Sequence, residues 1–172
     1  MMNDGTDVIF REVQRFASWL RWAVALSMAV AVAFDVLALR QESLQQPPHT
    51  PQIISLIIVG VLLPIAIALL FWLLKLQTEV RRDGLYVRFF PFHIRFKKFT
   101  AEDLSEHYAR TYRPIREYGG WGIRCGWRGG RAYNVSGNKG VQLVLKNGKR
   151  LLVGSQKAEE LADAIGSLTK AG

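Results

Sequence analysis

From Ile53 to Leu74 the chain reads IISLIIVGVLLPIAIALLFWLL, twenty-two residues without one charged side chain. A helix needs roughly 20 apolar residues to cross the hydrocarbon core of a bilayer, and this run has that length. It is read as a transmembrane helix over residues 53–74, with Pro64 midway removing one helical hydrogen bond and kinking it. A second run, WLRWAVALSMAVAVAFDVLAL over residues 19–39, carries only Arg21 and Asp35 as charges. Arg11 and Arg15 before it are interleaved with Asp4, Asp7 and Glu12, and no small-x-small site follows it, so it is read as an anchor and not as a cleaved signal. Trp19, Trp22 and Trp72 sit near the ends of these runs, where an aromatic belt meets the membrane interface. Asp35 lies one turn from the far end of its span and is read as reaching outer-leaflet water, since a carboxylate costs less there than at the bilayer centre.

Basic residues set the orientation. Arg11 and Arg15 precede the first run, Arg21 lies at its start, and Lys75, Arg81, Arg82 and Arg88 follow the second, whereas the connector over 40–52 has Arg40 alone. Both termini are therefore expected in the cytoplasm, with an external loop at 40–52, a cytoplasmic N-terminal segment at 1–18 and a cytoplasmic domain over 75–172. The charge is divided unevenly. Residues 1–74 hold four Lys/Arg against five Asp/Glu, and residues 75–172 hold nineteen against nine. A tethered domain so basic faces an anionic surface, and the nearest one is the inner leaflet. Arg81, Arg82, Arg88, Arg95, Lys97 and Lys98 follow the second span closely and are the candidate lipid-facing residues.

Past Gln77 the apolar period shortens to that of strands. TEVRRDGLYVRFF reads as a hairpin turning at Arg82-Asp83-Gly84, HIRFKKFT and SEHYARTYR as further strands, and VQLVLKNGKRLLVGS as a hairpin turning at Asn147-Gly148. Ser155 is placed to cap a final helix, whose Ala158, Leu161, Ala162, Ile165 and Leu168 form one apolar stripe. About seven strands followed by one helix is the order of a pleckstrin-homology-like β-barrel, so the fold class is α+β. The single cysteine, Cys125, excludes an internal disulfide and a cysteine-built zinc site.

Glu117 to Gly140 is dense in glycine, arginine and aromatics. It matches neither phosphate-cradling pattern: Cys125 stands where a dinucleotide fingerprint needs its third glycine, and no Gly-Lys-Ser/Thr follows a four-residue gap. A long hairpin with glycines at turns and bulges is expected, and Trp121, Arg124, Trp127, Arg128, Arg131 and Tyr133 are its candidate ligand or partner contacts. Interleaved arginines and aromatics suit a nucleic-acid stacking surface, but the membrane tether argues against that partner. No catalytic His, Cys or Ser pattern is present, and the acidic turn at Glu102, Asp103 and Glu106 reads as solvated. No metal and no cofactor are expected.

TEVRRDGLYVRFFPFHIRFKKF, RTYRPIREYGGWGIR and GRAYNVSGNKGVQLVLKNGKRLLVGSQKAEELADAI resemble a family of small, uncharacterised prokaryotic two-span membrane proteins carrying one bacterial pleckstrin-homology-like domain. YGGWGIR and AYNVSGN are the most specific of these motifs. The resemblance covers about the last 100 residues. It implies architecture and membership, and brings no catalytic residue, substrate or cofactor. The expected function is a non-enzymatic interaction module in the cytoplasmic membrane, held against anionic lipid head groups or a protein partner. Two alternatives stand beside it. One is an enzyme acting on a membrane-associated phosphorylated substrate through the Arg/Gly loop, which would need a base and several arginines converging in a pocket. The other is a structural subunit of a larger membrane complex.

Overall fold

The computed structural model describes residues 7–43, 50–126 and 130–170. The chain forms two compact units: Phe16–Leu74, and a second unit that joins the N-terminal segment ending at Arg15 to everything from Lys75 onward.

The first unit is helical. α1 runs from Ser18 to Ser43, and at about 1.5 Å per residue its 26 residues extend about 39 Å. Its portion Ser18–Gln41 is the one helix among the described residues long and apolar enough to cross a membrane. The second apolar run is helical throughout but not uniformly wound: α2 (Thr50–Ser55) passes into a π-helical stretch (Leu56–Leu62) and then α3 (Leu63–Leu73). The reason lies in Pro64, which has no N–H to offer the carbonyl one turn back, so the preceding turn widens. Leu63 N–H accordingly reaches the Ile58 carbonyl, five residues earlier. The expected span over 53–74 thus carries a π-helical stretch, whereas the run over 19–39 lies within one regular α-helix. Of the connector 40–52, Arg40–Ser43 completes α1 and Thr50 opens α2, while 44–49 lie outside the described residues.

α1 and α3 make a hairpin. Trp22 meets Trp72 edge-on at 5.4 Å, Arg21 lies 5.2 Å from the Trp72 ring, and Phe16 packs on Phe71 at 5.6 Å. Farther along, Asp35 is half-buried against the π-helical stretch. A Cβ added to Gly60 would sit 2.9 Å from Asp35 Oδ2, so the carboxylate packs directly on the glycine backbone there.

The second unit corrects the sequence-derived boundaries. The segment expected as a separate N-terminal tail supplies a strand, β1 (Val8–Arg15). It pairs antiparallel with β2 (Lys75–Arg81), which pairs with β3 (Gly84–Phe90), which pairs with β4 (Lys97–Phe99). The expected hairpin at Arg82-Asp83-Gly84 is present; Gly84 has φ +149°, and a Cβ there would meet the Phe99 carbonyl at 2.6 Å. A second sheet has the order β5-β8-β9-β7-β6. Its strands are β5 (Leu104–Thr111), β6 (Gly122–Cys125), β7 (Arg131–Asn134), β8 (Lys139–Leu145) and β9 (Arg150–Gly154). β7 and β9 run parallel, and the Asn147-Gly148 hairpin joins β8 to β9 as expected. Among the described residues nine strands in two sheets therefore replace the seven or so expected, and no closed barrel is found.

α5 (Ala158–Lys170) packs on β5 and β8 of one sheet and on β1, β2 and β3 of the other. Leu161, Ile165 and Leu168 are buried with Leu76, Val80, Leu85, Val87 and Phe89 of the first sheet and Val141, Leu143, Leu151 and Val153 of the second. Each such side chain contributes about 1.5–3 kcal/mol when fully buried, so this core outweighs any single polar contact. Of the stripe expected on this helix, Ala162 is only half-buried and Ala164 takes its place. Ser155 caps the helix as expected: its Oγ accepts from Lys157 N–H at 3.0 Å. A smaller cluster of Tyr112, Tyr118, Ala132 and Leu152 lies under α4 (Pro114–Tyr118).

Candidate functional site

Strand alternation divides the first sheet into an inner and an outer face. On the inner face Phe10, Val80 and Leu85 lie in register, as do Gln14, Leu76 and Phe89. The intervening Glu12 and Gln14 of β1 are satisfied by distant chain. Ser155 Oγ donates to Glu12 at 2.6 Å, Gln156 N–H donates to its other oxygen at 3.0 Å, and Gln14 Nε2 donates to the Gly154 carbonyl at 2.7 Å.

The outer face carries the cations, in three rungs across the strands. The first rung is Arg11, Glu79, Tyr86 and Lys98. Here every cation is paired, leaving one net positive charge: Glu79 takes Arg11 at 3.3 Å and Arg81 at 2.6 Å, and Asp83 takes Lys98 at 2.6 Å. Arg82 pairs with Asp7 at 2.6 Å on the same side of the hairpin. Bonds from Lys98 and Tyr86 hold the Asp83 carboxyl below the usual carboxylate range, and Glu79 raises Arg81. Both cations also lie over the Tyr86 ring, Arg81 at 4.6 Å and Lys98 at 5.6 Å.

The second rung is Val13, Gln77 and Arg88, and the third is Arg15, Lys75 and Phe90. Arg88 donates to Gln77 Oε1 at 2.8 Å through Nε and at 2.5 Å through Nη2, and lies 4.5 Å from the Phe96 ring. Lys75 lies 5.3 Å from the Phe90 ring. Among the described residues none of Arg15, Lys75, Arg88 and Arg95 has a carboxylate partner. Positive charge on this face therefore rises toward the end where the chain leaves at Arg15 and returns at Lys75. The hairpin itself decides which candidates lie there. Six strand steps of roughly 3.3 Å carry Arg81 and Arg82 about 20 Å from Lys75, and β3 brings Arg88 back to it.

Lys97 points to the inner side instead. Its Nζ donates to Tyr133 Oη at 2.8 Å, and the His93 ring meets the same tyrosine at 5.3 Å. Burial, with Lys97 and Arg131 nearby, holds the His93 imidazole below its ordinary value. Of the glycine-rich candidates, Tyr133 is thus a buried residue of β7 in contact with Lys97, and Arg131 sits two positions away on the same strand. Trp121 and Arg124 are on the edge hairpin β6–β7, where Trp121 Nε1 donates to the Gly137 carbonyl at 3.1 Å and Arg124 Nε to the Trp121 carbonyl at 3.0 Å. Trp127 and Arg128 lie outside the described residues. Arg124 is thus tied to backbone on an edge strand, and Arg131 belongs to the group around Tyr133.

A cleft of about 680 Å³ lies at the Gly84 end of the first sheet, lined by Arg82, Asp83, Glu102, Ser105, His107 and Lys146 among others. Its Asp83 is engaged by Lys98 and Tyr86, and Thr100 holds the neighbouring Asp103 carboxyl low through its N–H and hydroxyl. Among the described residues no group of three His, Cys, Asp or Glu side chains is placed to hold a metal ion.

The outer-face rungs were missed in the sequence because one residue of each comes from β1, which was not expected as a strand. The signal was available in the alternation of Arg11, Val13 and Arg15 against Phe10, Glu12 and Gln14, but polar residues occupy both faces.

A model of a protein family described as a family of unknown function (DUF6141) matches residues 1–171, and the chain belongs to that family. The match takes in the N-terminal strand and the helical unit as well as the last 100 residues. No curated protein and no solved structure matches the chain.

Proposed function

From membership of a family that carries no assigned activity, we propose that this chain is a two-span, membrane-anchored interaction module that presents the basic end of its first sheet to the anionic inner leaflet. The observation that carries the reading is the pairing of Arg15 with Lys75. A segment that leaves a sheet at one strand and rejoins it at the neighbouring strand returns to the side of the membrane it left. It therefore crosses an even number of times, and α1 is long enough for one crossing. The run through α2, the π-helical stretch and α3 supplies the other. Basic residues flanking the spans put the sheet unit, with both termini, in the cytoplasm. The order of strands ending in a packed helix supports kinship with pleckstrin-homology-like domains, in an open form with an added N-terminal strand. The edge position of the β6–β7 hairpin favours contact with a partner surface over catalysis in its Arg/Gly loop.

The test is topological. In a Cys125→Ser background, single cysteines replacing Val8 and Asn147 should be labelled by an impermeant maleimide only from the cytoplasmic side. One replacing Gln46 should be labelled only from outside. Labelling of Val8→Cys and Asn147→Cys from opposite sides, or of all three from one side, would overturn the reading.

A further inference from the structure

We infer that the loop joining β3 to β4 is a membrane-insertion element, in which Phe92 and Ile94 enter the bilayer beside the point where the chain departs into its spans. The inference rests on the membrane-anchored reading above and adds a second, non-spanning contact to it.

Three observations converge on this loop. Ile94 is 79% exposed and Phe92 61%, and Ile94 is the most exposed large apolar side chain among the described residues. Two bulky apolar groups held in water on a short loop mark a contact with something apolar. Second, the loop is held in shape. His93 N–H donates to the Phe89 carbonyl at 2.8 Å, Arg88 Nη1 donates to the Ile94 carbonyl at 3.2 Å, and the Phe92 ring leans on Phe89 at 6.2 Å. The apolar tips are thus presented by a built scaffold. Third, the register identifies the occupant. Phe90, from which the loop springs, pairs with Lys75, and Lys75 pairs with Arg15. Neighbouring strands lie roughly 4.8 Å apart, so the loop begins within about two strand spacings of both residues that adjoin the helical unit. If Leu74 ends a span, Lys75 is at head-group level and a loop beside it meets the interface.

The surrounding chemistry fits lipid better than a protein groove. Arg88 bonds the loop at the Ile94 carbonyl, Arg95 is the next residue, and Lys75 and Arg15 lie one and two strands from Phe90, where the loop begins. None of the four has a carboxylate partner among the described residues. Apolar tips on a loop with unpaired cations at its base match an acyl boundary beneath anionic head groups.

The experiment uses the full chain with Cys125→Ser, reconstituted in vesicles of phosphatidylethanolamine and phosphatidylglycerol. An environment-sensitive fluorophore is placed on one cysteine at a time: Ile94→Cys on the loop, Asn147→Cys in the β8–β9 turn, and Val30→Cys in α1. Nitroxide lipids are the quenchers, with the spin label near the head group for positions 94 and 147 and at mid-chain for position 30, which lies near the middle of its span. The expected result is blue-shifted emission at 94, quenched several-fold more strongly than at 147. Equal, water-like emission and quenching at 94 and 147, with position 30 quenched, would overturn the insertion and leave the anchor standing. Loss of quenching at position 30 would overturn the anchor and the insertion with it. A blue shift at 94 that grows with protein concentration in lipid-free detergent would assign the loop to a second copy of the chain and overturn the proposal. Ile94→Asp, at an exposed position that folding does not need, should abolish the quenching of a fluorophore on Arg95→Cys.

Discussion

The two ends of the first sheet have similar shares of basic residues and use them in opposite ways. At the Gly84 end every cation named has a carboxylate: Arg81 has Glu79, Arg82 has Asp7 and Lys98 has Asp83. At the Phe90 end Lys75 meets an aromatic ring and Arg88 an amide, a ring and a backbone carbonyl, and neither they nor Arg15 have a carboxylate partner among the described residues. Net charge counted along the chain conceals this difference. A charge near a span in sequence matters to a membrane only if the fold keeps it within a screening length, about 8 Å at physiological salt. The hairpin carries Arg81 and Arg82 beyond that distance from Lys75, and β3 brings the chain back to it at Phe90, where the loop bearing Phe92, Ile94 and Arg95 begins.

The sharpest way to break the contrast is to remove the strand that frames both ends. A chain beginning at Lys75 lacks the buried Phe10 and leaves the Gly154 carbonyl, Ser155 and the Gln156 N–H without their partners in β1. We expect a loss of the order of 5 kcal/mol and no cooperative thermal transition. Joining residues 7–15 to Lys75 through a short Gly/Ser linker should restore the transition, because Arg15 and Lys75 are already neighbours. A circular-dichroism melt checks both.

Next is Gly84→Val, which strains the turn at the end whose cations are paired. The added Cβ would meet the Phe99 carbonyl at 2.6 Å in a backbone conformation that valine disfavours. A loss of about 2–4 kcal/mol is expected in denaturant unfolding of the linker-joined sheet unit. Loop insertion at Ile94 should persist in the intact chain as long as the sheet stays folded.

Smaller effects separate the two ends directly. Lys75→Gln and Arg95→Gln should each weaken the phosphatidylglycerol dependence of quenching at position 94 by about 1 kcal/mol. Arg82→Gln and Lys98→Gln, about 20 Å away along β2 and β3, should leave it nearly unchanged. Equal effects from both pairs would erase the contrast.

The smallest effect concerns His93, which anchors the loop beside Tyr133. Its folded-state pKa lies below the ordinary value, so the unfolded chain binds a proton at a higher pH than the folded one. Stability is therefore fully present above about pH 6.5 and declines as pH falls through that value toward the lower, folded pKa. The loss should stay under about 1 kcal/mol, because the ring is partly solvated. His93→Gln should flatten this part of the pH dependence of the melting temperature.

Much of the sheet unit was legible because its signals are local. Arg82-Asp83-Gly84 and Asn147-Gly148 carry the turn chemistry that two strands need, and alternating apolar residues on either side agree with it. α5 was legible from one apolar stripe beginning after Ser155. β1 was not, because its inner face presents Glu12 and Gln14. Those residues are buried only because Ser155, Gln156 and Gly154, some 140 residues later, supply their hydrogen bonds. The parallel pairing of β7 with β9 was equally hidden, since a third strand intervenes between them in the chain. Of the candidate site, the residue types were legible and their grouping was not. Lys97 and Lys98 adjoin in sequence, yet alternation sends one to Tyr133 and the other to Asp83.

By itself the sequence determined two apolar runs, a basic remainder and most strands of the sheet unit, because hydropathy and turn chemistry act over a few residues. Tertiary structure alone decided that the helical unit is an insertion between neighbouring strands, that the irregularity at Pro64 takes the form of a π-helical stretch, and which cations are paired with carboxylates. Those outcomes depend on pairings between residues far apart in the chain, or on backbone bonds that composition does not reveal.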